Sequence, residues 1–146
     1  MLLRIAYAVA LVIATTLIHA GCTAVALGQL RSLATHHWAL RSTTTRATVL
    51  SVIVLMMSLA ACLEASLWAT LYWGVGALPE WREAFYFSLV TFTTLGYGDV
   101  TLGDGWRLLA AFEAANGIMM FGWTTALIVA TAQRLFLQHP PGETRS

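Results

Sequence analysis

Thr93-Thr94-Leu95-Gly96-Tyr97-Gly98-Asp99 is the stretch on which the reading of this chain turns. Glycine at 96 and 98 lets the backbone take positive φ at alternate residues. A segment built that way points successive carbonyl oxygens to one side, where an ordinary strand alternates them. Glycine and aspartate are also turn residues, so Gly-Tyr-Gly-Asp in isolation favours a tight surface turn. The setting separates the two. Thr-Thr directly precedes the glycines, a short helix-like run comes before that, and an apolar segment of membrane length lies on each side.

The short run, Pro79 to Phe92, carries proline at its start and acids at Glu80 and Glu83, as a helix N-terminus favours. At about 20 Å it is too short to cross a bilayer, so it must enter and return. Its carbonyl end then points toward the bilayer interior, where partial negative charge favours a cation. Irregular backbone beyond it is tolerable at that depth only where it lines a cavity. Ala47 to Trp73 is the long apolar segment before it, with Trp68, Tyr72 and Trp73 placed as an aromatic belt at its end. Trp106 to Arg134 is the one after, reached through a polar return loop from Val100 to Gly105.

Ile5 to Leu30 forms a further apolar span. Its charged start and His19-Ala20-Gly21-Cys22 also fit a signal peptide, but the apolar run continues past Cys22, which favours a retained helix. Ala20, Ala24 and Gly28 put small residues on one face suited to close packing, and His19 reads as a packed or hydrogen-bonded core histidine, with proton sensing the minority reading. Arg31 to Arg46 is a polar linker. It contains His36-His37, which point to different helix faces, and Trp38, placed as a headgroup anchor. The tail from Gln138 to Ser146 reads as disordered.

Composition agrees. The 146 residues are 58% hydrophobic and 10% charged, with mean hydropathy +0.72, whereas soluble domains carry about 25% charged residues. A net charge of +1 offers nothing to nucleic acid. Cys22 and Cys62 both fall in apolar segments and read as buried free thiols. No nucleophile–base pair or metal-ligand spacing emerges, and no histidine lies near a carboxylate motif. Neither enzymatic activity nor a cofactor is expected.

Helix, short helix, T-x-G-Y-G-D and helix together resemble the potassium channel pore family, over about Ala47 to Arg134. The likeness is to small bacterial members with a single pore unit per chain. It is specific at Thr94 to Asp99 and looser elsewhere, although Gly117 to Trp123 is also similar to their inner helix. The resemblance implies an all-α membrane protein. Three transmembrane helices, a re-entrant pore helix and a selectivity filter would assemble as a homotetramer, with carbonyl rings replacing the hydration shell of potassium. Residues 1–46 would then form an additional helix and linker, 47–134 the pore domain and 135–146 a short cytoplasmic tail. Thr94, Leu95, Gly96, Tyr97 and Gly98 would form the filter. Thr94 (hydroxyl and carbonyl), Leu95, Gly96 and Tyr97 would hold potassium, the permeant ion, and Asp99 would sit at the outer mouth. Tyr86, Phe87 and Thr93 would support the filter. Tyr86 and Phe87 stand where many relatives carry tryptophan, which implies a softer cuff. Asn116, Gly117, Met120 and Thr124 are hinge or cavity candidates, and Gly117 and Gly122 read as either hinges or close-contact sites. No arginine ladder indicates a voltage sensor, so the first helix is expected to be peripheral, bracing the second.

An outward-facing filter sets the orientation. Arg31, Arg41, Arg46, Arg134 and Arg145 fall inside and Arg4, Arg82 and Arg107 outside, in the sense of the positive-inside rule. This gives a multi-pass protein of the cell (inner) membrane, in contact with its lipids, with the amino terminus outside and the carboxyl terminus cytoplasmic. Counted from the outer helix ends, Glu64 and Glu113 both fall about 10 to 14 Å deep, level with the filter. The expectation is that at least one supports the filter from behind, bonded to pore-helix or filter groups, where burial shifts its titration and offers a proton-sensitive gate. The alternative is a structural glutamate with no gating role. Two other readings of the whole chain stay open: a weakly selective cation channel and a non-conducting membrane assembly partner.

Overall fold

The computed structural model describes residues 2–35 and 42–137. His36-His37, Trp38, Arg41 and the tail from 138 to 146 lie outside the described residues. Four α-helices follow in order: α1 Leu2–Thr35, α2 Thr43–Gly74, α3 Trp81–Phe92 and α4 Arg107–Ala132. A π-helical turn, Gln133–Leu137, continues α4. Among the described residues there is no strand, and three helices are long and apolar enough to cross a membrane.

Both ends of the expected linker are drawn into helix. α1 runs to Thr35 and α2 begins at Thr43, with Arg46 buried in its first turns. In an apolar medium a helix that continues satisfies its own backbone, whereas a loop does not. Pro79 does not open α3 as expected. Glu80 is the N-cap and Trp81 the first helical residue, with Glu83 in the first turn. The turn before it is closed by Val75 N–H to Leu71 O and Ala77 N–H to Tyr72 O, both 2.9 Å. Gly76 takes the left-handed φ of 69° that this reversal needs.

The packing seam of α1 is Ala8, Thr15, His19, Ala26 and Leu30, spaced seven and four residues apart as knobs facing a neighbouring helix must be. It is not the Ala20–Ala24–Gly28 face: Ala24 and Gly28 are exposed, and a methyl group added at Gly28 would meet nothing. Polar Thr15 and His19 override the small-residue stripe, because leaving them in lipid costs more than forgoing close backbone contact. The same rule moves the aromatic belt inward. Trp68 and Tyr72 share the α2 stripe of Glu64 and are fully buried, leaving Trp73 exposed.

Directions follow from the contacts. Arg4 lies over the Trp106 ring, Asn116 donates to Thr15, and Thr124 meets His19. Residue numbers rise together along both helices, so α1 and α4 are parallel. α2 runs against them, with Tyr72 level with Glu113 and Glu64 level with His19. α1 therefore lies in the groove between α2 and α4 and bonds to both, where a peripheral brace on α2 was expected.

α3 packs on α2 and α4. Phe87 meets Tyr72 edge-on at 5.3 Å between ring centroids, and Phe92 meets Phe121 at 6.0 Å. At its end, α3 rests against Gly117. A Cβ there would run into the Phe92 carbonyl, so Gly117 is a close-contact glycine. The Gly122 side is open. Gly117→Ala should lower stability by about 1–3 kcal/mol, the usual scale of overpacking, readable as a lower thermal midpoint of the purified protein. Gly122→Ala should leave that midpoint unchanged.

Candidate functional site

The 93–99 segment starts where α3 stops. Thr93 closes the helix with its N–H on Leu89 O at 3.0 Å and its hydroxyl on the same oxygen at 2.6 Å. Thr94 N–H then bonds Thr91 O at 2.9 Å, and Gly96 N–H reaches back to Val90 O at 3.2 Å. These bonds pin the segment to the carbonyl end of α3. Beyond them φ is positive at Thr94 (61°), Gly96 (55°) and Gly98 (79°). The alternation expected at two glycines thus begins one step earlier, at a threonine. A side chain in that region costs on the order of 1–2 kcal/mol, and nothing in residue type signals it.

From Thr94 to Asp99 the segment is exposed on the single chain. Leu95 is 56% and Tyr97 67% accessible. Asp99 accepts a 2.6 Å hydrogen bond from the Tyr86 hydroxyl, which holds its carboxyl below the ordinary aspartate range and raises the Tyr86 phenol. Tyr86 thus reaches the segment, while the neighbouring Phe87 turns to Tyr72. A cavity of about 340 Å³ lies between α3, the segment and the start of α4, with Tyr86, Gly96, Asp99 and Arg107 among its walls. Arg107 pairs with Asp104 at 2.9 Å in solvent. Backbone and hydroxyl oxygens at this position are hard donors suited to a hard cation. Among the described residues no three His, Cys, Asp or Glu side chains come together as a metal site.

Behind α3, Glu113 is fully buried and bonded to both neighbouring helices. Tyr72 donates to its Oε2 at 2.7 Å and Ser88 contacts its Oε1. Ser88 Oγ is also 2.6 Å from Ala65 O. One hydroxyl proton cannot serve both acceptors. A protonated Glu113 that donates to Ser88, which in turn donates to Ala65, satisfies every group and buries no charge. Tyr72 was read only as part of the aromatic belt and Ser88 was not singled out; no local signal pairs either with Glu113, which lies 41 and 25 residues away in the chain.

Glu64 does not share that position. It lies two turns deeper than Tyr72, and its Oε1 is 2.9 Å from His19 Nδ1 on α1. The depth count erred because the helices do not end level: Tyr72 meets Glu113 six residues inside α4, about 9 Å below its start. The same contact corrects the reading that no histidine lies near a carboxylate. His19 Nε2 continues to Thr124 Oγ1 at 3.1 Å. Asn116, Gly117 and Met120 are likewise buried within the chain, and Asn116 donates to Thr15 at 2.8 Å. On α4 the open face belongs instead to Ile118, Met119, Gly122 and Thr125.

Substitutions at two positions probe this site. Tyr86→Phe should move the Asp99 titration up toward ordinary aspartate, followed by carboxyl carbon NMR. The contact contributes fully above the unfolded aspartate pKa and is lost as pH falls through the lowered folded value. Glu113→Leu strands the Tyr72 hydroxyl in the core and should cost about 1–3 kcal/mol in thermal unfolding. Glu113→Gln, which still accepts and donates, should lose less.

A family model described as ion channel matches residues 47–134, more than half of the chain and the whole of α3, the 93–99 segment and α4. No curated protein and no solved structure matches the chain. Three membrane-length helices and a re-entrant helix that presents an oxygen-rich segment agree with that match: the chain belongs to the ion channel family.

Proposed function

We propose that this ion channel is potassium-selective and works as a homotetramer, with the 94–98 segments of four copies converging on the axis. The observation that carries the reading is the alternation of positive φ at Thr94, Gly96 and Gly98. It suits a segment whose carbonyls face one side and replace a cation's hydration shell. Thr94, Leu95, Gly96 and Tyr97 then hold the ion, and the Tyr86–Asp99 bond steadies the outer mouth. Exposed Leu95 and Tyr97 support assembly, since neighbouring copies would cover them. α3 aims its carbonyl end toward the ion path, as a cation requires. In this reading the segment faces outward, both ends of the 31–46 linker are cytoplasmic, and the face of Ile118 and Met119 is the one available to an axial cavity.

The test is flux from purified protein in liposomes under opposed potassium and sodium gradients. The reversal potential should follow potassium. A reversal potential near zero in symmetric total cation identifies a weakly selective channel, and absence of flux removes conduction. Gly96→Ala, which forces a side chain onto a φ of +55°, should abolish flux while leaving the assembly intact on size-exclusion chromatography. A single-particle map in potassium should show four copies and density on the axis.

A further inference from the structure

Beneath the 93–99 segment, α1, α2 and α4 enclose a polar site that ion conduction does not use. Glu64, Trp68 and Asn116 are fully buried there. Glu64 Oε2, Trp68 Nε1 and Asn116 Oδ1 have no hydrogen-bond partner among the described residues. The other atoms of Glu64 and Asn116 are committed, Oε1 to His19 and Nδ2 to Thr15. Glu64 and Trp68 are four residues apart on α2, and Thr15 and His19 four apart on α1, so each pair shares a face. The two bonds therefore close three sides of a ring, Glu64–His19, His19–Thr15 along α1, and Thr15–Asn116. Trp68 lies between Glu64, level with His19, and Tyr72, level with Glu113, which puts it at the height of the Thr15–Asn116 bond, so the three free atoms fall within one helical turn of one another at the open side of that ring. Thr23 Oγ1 is also unpartnered but lies a turn farther along α1, where its hydroxyl can turn to its own helix.

We propose that Glu64 Oε2, Trp68 Nε1 and Asn116 Oδ1 hold one ordered water molecule, which locks the first helix onto the channel unit just beneath the 93–99 segment. The chemistry of the three atoms selects the ligand. A cation is opposed by the indole N–H, and an anion by the carboxylate and amide oxygens. One donor and two acceptors complement a molecule that accepts one hydrogen bond and donates two, the inventory of a buried water. The His19 ring is consistent with this: whether its Nδ1 donates to Glu64 Oε1 or accepts from a proton-bearing Oε1, the other carboxyl oxygen, Oε2, is left as an acceptor needing a donor. Asn116 adjoins Gly117, whose Cα abuts the end of α3. The water thus joins α1 to the turn of α4 on which the ion-binding segment rests.

The site is tested without reference to ion selectivity. A single-particle map of the full chain in lipid nanodiscs, at a resolution that shows ordered water, should contain one peak within about 3.2 Å of all three atoms. Glu64 Oε2 bonded directly to Asn116 or Trp68, with no peak between them, overturns the proposal. Thermal and denaturant unfolding of Trp68→Phe, Asn116→Leu and the double variant provides a second reading. With a shared water, the first substitution releases what the second would have lost. The double variant's unfolding constant should then fall short of the product of the single effects by about threefold or more. Multiplicative effects overturn it.

Discussion

Glu113 shares hydrogen bonds with Tyr72 on α2 and Ser88 on α3, and the position of the 93–99 segment depends on that contact. In hydrocarbon a buried carboxyl has no water to turn to, so its partners must come from the protein. Meeting that need brings three helices to one point and sets the height of α3 between the other two. From there α3 can end only against Gly117, where the absence of a side chain admits the Phe92 carbonyl. The segment after Phe92 emerges from that fixed point, and its first hydrogen bonds return to α3 itself.

Polar groups, more than apolar area, specify how these helices are arranged. Lipid tails compete on equal terms for leucine and valine, so apolar contact alone does not choose a face. The buried stripes of α1, α2 and α4 are instead dated by their polar members: Thr15 and His19, Glu64, and Glu113 and Asn116. Each is bonded across to another helix. This explains why α1, outside the matched family region, is integral to the fold. It contributes a histidine to one carboxylate, a hydroxyl to an amide, and Arg4 to the face of Trp106.

The two ends of the segment are held differently. Its first residues are tied by backbone bonds to the last turn of α3, and its far end by one side-chain bond, Tyr86 to Asp99. Between them the backbone carries its strain at Thr94 and alternates through the glycines.

Amino-acid order by itself determined the number and extent of the spans, the short helix between them and the irregular segment, because hydropathy, length and glycine spacing are local quantities. It also marked His19, Glu64, Glu113 and Asn116, since a lone polar residue in an apolar run stands out, but not Thr15 or Ser88, whose hydroxyls bond to them. Partners were another matter. Glu64 and His19 are 45 residues apart, and Asn116 and Thr15 are 101 apart. Asn116 and Thr124 could be read as cavity residues only because an almost wholly apolar helix has no periodicity to show which side turns inward. Tertiary structure decided those faces, and the unequal heights of the helix ends, through the requirement that each buried donor and acceptor find its complement on a neighbouring helix.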